Sequence, residues 1–288
     1  MFKLAEFNLA GFKPWRIPQY WLLGIGAGLL ALNLTFLQRA DNPELWATVG
    51  LLWLAIAMLL WEKHPHLNLD SSPGATIVGA SLIALVLVQS LAPDGYHLQV
   101  SPFISYLGLA LMASGFRGIQ QFWKELLILG LLLVSPIVVG FLQLINLTLL
   151  TAKAAAFMLW YSGFEVVRQG AFIVLPTGRV EVYGACSGVN SVLQMLLIAV
   201  LFLLIVPLRW SQRVGCVVIA LLIGFLVNAA RVALLAVLVA SNHRDWFDYW
   251  HTGDGSLIFA AIAVLLFGAF CWLAFLRHPA NPQGADRC

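Results

Sequence analysis

The chain has 288 residues, of which 61% are hydrophobic and only 10% charged, with a net charge of +3. A soluble domain is about 45–50% apolar and about 25% charged, so this composition cannot be covered with polar surface and predicts an all-α polytopic membrane protein in contact with the lipid bilayer. No basic arm with interleaved aromatics is present, which leaves nucleic-acid binding without support, and the spacing of the four cysteines suggests neither a zinc site nor a disulfide framework.

Lys3, Lys13 and Arg16 precede a first apolar segment, residues 20–37, with no A-x-A-like cleavage site after it. This reads as a retained signal-anchor. A helical span needs about 20 mostly apolar residues. Eight segments are candidates: 20–37, 45–61, 75–91, 102–116, 126–149, 189–208, 215–240 and 256–275. The fourth is short and opens at Pro102, and a further apolar stretch, 154–164, is too short to span and could lie in the interface or re-enter.

With eight spans and a cytoplasmic N-terminus, ten Lys and Arg fall on the cytoplasmic side and five on the outer side, with Arg231 inside a span. The positive-inside rule then favours both termini in the cytoplasm of a plasma-membrane protein. The outer segment before residue 186 contains two runs rich in β-branched and aromatic residues, 170–175 and 179–183, separated by Pro176-Thr177-Gly178. It reads as a small outer-face β-hairpin. No linker divides the chain, so residues 1–288 are expected to form a single integral-membrane domain, with a motif-bearing core at about 150–276.

Three side chains stand out in that core. Cys186, in Gly184-Ala185-Cys186-Ser187-Gly188, precedes a span at its outer end, where unpaired N–H groups favour a thiolate. Asn190 and Gln194 follow at i+4 and i+8 and suggest a polar stripe; a buried structural cysteine is the competing reading. Arg231 lies well inside the seventh span, with Asn228 three residues earlier on the same face. A charge there costs at least about 2.5–3.5 kcal/mol and marks a site more often than not, although a structural tie to a carboxylate would also explain it. His251, in an aromatic stretch before the last span, can exchange protons with water; taken alone it could equally be a loop histidine. Consecutive spans pack as neighbours, so the three can converge at the outer face. A thiol, an imidazole and a cation suit acyl transfer through a thioester.

Ala185-Cys186-Ser187-Gly188, Asn228-x-x-Arg231 and His251 with Gly255 four residues on resemble the exosortase/archaeosortase family, over about the last 140 residues. The resemblance implies a membrane cysteine transpeptidase with Cys186 as nucleophile, Arg231 as stabiliser of the thiolate or transition state, and His251 as proton-transfer residue. Ser187, Gly188, Asn190, Asn228 and Gly255 would support them, and no cofactor or metal is implied. The implied partners are membrane-anchored proteins with a C-terminal sorting signal, made of a Pro-Glu-Pro-type motif, a transmembrane helix and a basic tail, together with an acceptor nucleophile. Two other readings stay open: a transporter using Arg231 to bind an anion, and a lipid-linked polysaccharide enzyme using Asp245, Asp248 and Asp254.

Overall fold

The computed structural model describes residues 18–39, 43–91, 95–251 and 253–277. Lys3, Lys13, Arg16, Thr252 and Cys288 lie outside them. The described chain is ten α-helices and one small sheet: α1 (Pro18–Arg39), α2 (Pro43–Lys63), α3 (Pro73–Gln89), α4 (Gly95–Gly118), α5 (Trp123–Leu144), α6 (Leu147–Tyr161), β1 (Val167–Gln169), β2 (Phe172–Leu175), β3 (Gly178–Glu181), α7 (Val189–Ile205), α8 (Trp210–Ala240), α9 (Arg244–His251) and α10 (Gly255–Cys271).

All eight apolar segments anticipated from the sequence fall on helices, but helix length does not carry a count of eight crossings. Four helical stretches among the described residues are long and apolar enough to cross a membrane: Tyr20–Arg39, Leu98–Leu142, Trp210–Ala240 and Gly255–Leu276. The second holds the fourth expected span and most of the fifth. Pro73–Gln89, Leu147–Tyr161 and Val189–Ile205 are apolar but shorter. At 1.5 Å per residue, the longest of these three reaches only about 26 Å, against a hydrocarbon core of about 30 Å.

Two boundaries differ from expectation for local reasons. Pro102 lies inside α4 rather than at its start, and that helix is interrupted instead at Gly115, with φ at 67°. The fifth expected span stops at Leu144 because Asn146 turns left-handed, with φ at 52°, and caps a new helix by accepting from the Leu149 amide. The stretch expected to lie in the interface or re-enter overlaps the second half of that helix, α6, and runs just past its end.

Contacts divide the chain into two compact units, residues 1–42 with 52–133 and residues 43–51 with 134–288. In the first, α3 and α4 pack most extensively. They approach through Gly79 and Gly108, where an added Cβ would overlap the partner's carbonyl; small residues at a crossing let helix backbones come this close. Lys63 Nζ lies 2.7 Å from the wholly buried Glu125 carboxylate and donates to the Gln121 carbonyl.

In the second unit α8 is the central element, packing against α6, α7, α9, α10 and the sheet. The expected hairpin is present as β2 and β3, antiparallel in the register Phe172↔Glu181, and gains a third strand, β1, paired to β2. Ile173, Leu175 and Val182 bury one face of the sheet against Ala152, Ala155 and Leu159 of α6 and Val232, Ala233 and Ala236 of α8. The hairpin turn closes the end of α8. Thr177 Oγ1 donates to the Ala240 carbonyl at 2.7 Å, satisfying one of the acceptors a helix leaves unpaired at its C-terminus.

Candidate active site

The sheet delivers the chain to Cys186. Val182 N donates to Ala171 O at 3.0 Å, continuing the ladder by one residue. Next comes a single 3₁₀ turn, Gly184–Cys186, in which Cys186 N donates to Tyr183 O at 2.9 Å. Ser187 is buried, and its hydroxyl donates back to Gly184 O at 2.6 Å. Gly188 then takes φ of 86° and serves as the N-cap of α7. A side chain is disfavoured there twice over, because φ is left-handed and a Cβ would sit 2.7 Å from Asn228 Nδ2.

Two neighbouring helices hold this loop by its carbonyls. Asn228 Nδ2, on α8, donates to Cys186 O at 3.1 Å, and Thr151 Oγ1, on α6, donates to Ser187 O at 2.7 Å. The half-buried thiol is thus fixed from its own turn, from α6 and from α8.

His251 is the last residue of α9, a helix formed by the aromatic stretch before the last span. Arg231, one turn beyond Asn228 on α8, donates through Nε to Trp250 O at 3.3 Å and through Nη2 to His251 O at 2.6 Å. These are carbonyls at the end of a helix, which lack intrahelical donors and favour a cation. This offsets part of the cost of burying the guanidinium of a residue that is only 9% exposed. The Phe247 ring stacks on the imidazole at 5.0 Å and 22°. At the start of α10, Gly255 leaves room where a Cβ would lie 2.8 Å from both the Trp250 ring and the Tyr249 carbonyl.

The result is a contact between sequence-distant groups: Cys186 Sγ lies 3.1 Å from His251 Nε2. The Tyr183 hydroxyl is 3.2 Å from the same nitrogen. Burial raises the Tyr183 phenol above its ordinary value, the Cys186 charge and hydrogen bond add to the rise, and Arg231 opposes it. A thiol that can pass its proton to an adjacent imidazole is equipped for nucleophilic attack, and a nearby cation favours the anionic form.

Of the residues anticipated from the sequence, Cys186, Ser187, Gly188, Asn228, Arg231, His251 and Gly255 come together here. Asn190 and Gln194 do not form one stripe below the thiol. Asn190 is exposed and faces a cleft with Asn146 and Thr148, whereas Gln194 lines a cavity with Asn228, Arg231 and Ser256. Helical spacing counted from Cys186 fails because the 3₁₀ turn and the left-handed Gly188 stand between it and α7. Asp245, Asp248 and Asp254 are exposed. Cys216 and Cys271 are buried in an apolar cluster with Met195 and Phe267. Tyr183, Thr151 and Phe247 were not anticipated. Tyr183 alone carried a signal, its place three residues before the thiol.

A thiol–imidazole pair backed by a buried guanidinium is set among apolar helices, several of them long enough to cross a membrane, and the architecture is that of a helical membrane protein. A family model for transmembrane exosortases matches residues 40–268, well over half of the chain, and the chain belongs to that family. No curated protein and no solved structure matches it.

Proposed function

We propose that this protein is a membrane cysteine transpeptidase that cleaves the C-terminal sorting signal of exported proteins at the outer face of the plasma membrane. The observation that carries the reading is the 3.1 Å approach of Cys186 Sγ to His251 Nε2. In the proposed reaction Sγ gives its proton to Nε2, and the thiolate attacks the scissile carbonyl carbon. The tetrahedral intermediate collapses to a thioester as the C–N bond breaks, and Nε2–H protonates the departing amine. An acceptor nucleophile then resolves the thioester and regenerates the thiol. Arg231 fixes the His251 backbone through two carbonyls, and its charge favours the thiolate and the developing oxyanion. Substrates would carry a Pro-Glu-Pro-type motif, a transmembrane helix and a basic tail, as the family resemblance implies. Both termini would then be cytoplasmic, with the hairpin and the site outside.

The test is processing of a tagged substrate bearing such a signal, co-reconstituted in lipid vesicles. Cys186→Ala and Cys186→Ser are expected to lose processing by at least about a thousandfold with unfolding temperatures close to the parent's. Full processing by both variants would overturn the cysteine mechanism.

A further inference from the structure

Tyr183 stands outside the motifs that drew attention to the site, yet its hydroxyl and the Cys186 thiol share one imidazole nitrogen, at 3.2 and 3.1 Å. The local backbone explains why. Tyr183 is the N-cap of the 3₁₀ turn Gly184–Cys186, and side chains three residues apart eclipse in a 3₁₀ turn. The phenol ring stands edge-on to the imidazole, with centroids 6.1 Å apart at 61°, and its hydroxyl and the Cys186 sulfur meet at the same nitrogen.

The donor count of these three groups is unequal between protonation states. With a neutral thiol and a neutral imidazole, S–H and O–H compete for one Nε2 lone pair. With a thiolate and an imidazolium the competition disappears. Nε2–H donates toward Sγ and the phenol oxygen, and the phenol O–H donates to Sγ. We propose that Tyr183 is a further catalytic residue whose hydroxyl holds the pair in its thiolate–imidazolium form by donating to the Cys186 sulfur. The only proton transferred is the one from Sγ to Nε2; the phenol keeps its own. Among the described residues, the titratable groups placed around the thiol and the phenol include His251 on α9 and Arg231 on α8, and α6 contributes the non-titrating Thr151 at the neighbouring carbonyl.

This deepens the transpeptidase reading and rests on it, but the test needs no substrate. The detergent-solubilised full chain is alkylated with iodoacetamide across a pH series, and modification is followed at the Cys186-containing peptide by mass spectrometry. Tyr183→Phe keeps the ring and removes only the hydroxyl. One hydrogen bond to a charged group, discounted because the phenol is half exposed, predicts a roughly tenfold slower alkylation at neutral pH and a profile displaced to higher pH. Tyr183→Ala should show the same displacement, whereas a merely packing role would spare Tyr183→Phe. His251→Gln serves as the reference for losing the imidazole. A Tyr183→Phe profile superimposed on the parent's, with His251→Gln displaced, would overturn the role of the phenol alone. Superposition of both would overturn the thiol–imidazole pair and the proposed function with it.

Discussion

Arg231 acts through the shape of its guanidinium as well as its charge. Nε and Nη2 reach two successive carbonyls, Trp250 O and His251 O, which hold the end of α9 at a fixed place. A lysine ammonium is a point donor on a flexible stem and lacks that planar fork. Arg231→Lys should therefore keep the positive charge yet let His251 drift from the thiol. A misplacement of about 1 Å can cost about a hundredfold in rate, so processing should fall to that extent while the protein stays folded. Near-normal turnover by the lysine variant would show that charge alone suffices. The residues at this scale were largely legible in the sequence, because a thiol at a span boundary and an arginine within a span are anomalies in apolar surroundings. What the sequence hid was the partner of each group. Arg231 meets backbone carbonyls, which leave no trace in side-chain identity. Tyr183 reaches the site through the 3₁₀ turn, whereas an exposed tyrosine near a membrane boundary is ordinary.

The loop between β3 and α7 converts this into a problem of elements. Three hydrogen bonds, from Asn228, Thr151 and Ser187, and one left-handed glycine set where the thiol points. Gly188→Ala should cost about 1–2 kcal/mol for the left-handed conformation, plus the displacement of Asn228 from the Cys186 carbonyl. Asn228→Ala removes the same hydrogen bond and the atom that a Cβ would strike. The double variant should therefore be less destabilised than the sum of the singles, by about 0.5–3 kcal/mol. Thermal or denaturant unfolding in detergent measures this, and strict additivity would refute the steric link. Elements were less legible than residues. The hairpin showed itself through β-branched runs around Pro-Thr-Gly, but β1 is three exposed residues without alternation and is defined by its partner. The break between α5 and α6 was invisible because hydropathy reads through a single asparagine, while the backbone turns at it. α9 showed in the sequence only as an aromatic stretch before the last span, because eight residues form no stable helix in isolation; Arg231 and the packing of α8 and α10 hold it.

At the scale of the molecule, the two compact units divide the labour of folding and chemistry differently. Cys186, Arg231 and His251 all belong to the second unit, whereas the buried ion pair Lys63–Glu125 belongs to the first. Glu125 is fully buried, and both of its carboxylate oxygens lie 2.7 Å from Lys63 Nζ, which also sits over the Phe122 ring at 4.7 Å. Removing one member leaves the other charge uncompensated, at a cost of about 3–5 kcal/mol, whereas replacing both by apolar groups of similar size is often neutral. Lys63 is a quarter exposed, which places the expected loss for Lys63→Met near the lower end of that range. The double variant Lys63→Met with Glu125→Leu should recover most of it. Unfolding midpoints report these losses, and iodoacetamide reactivity at Cys186, read well below the midpoint, should match the parent's in all of them. Equal destabilisation by the single and double variants would remove the ion pair from the account of the first unit's stability. Altered thiol reactivity in the folded protein would instead show that the pair also tunes the site in the second.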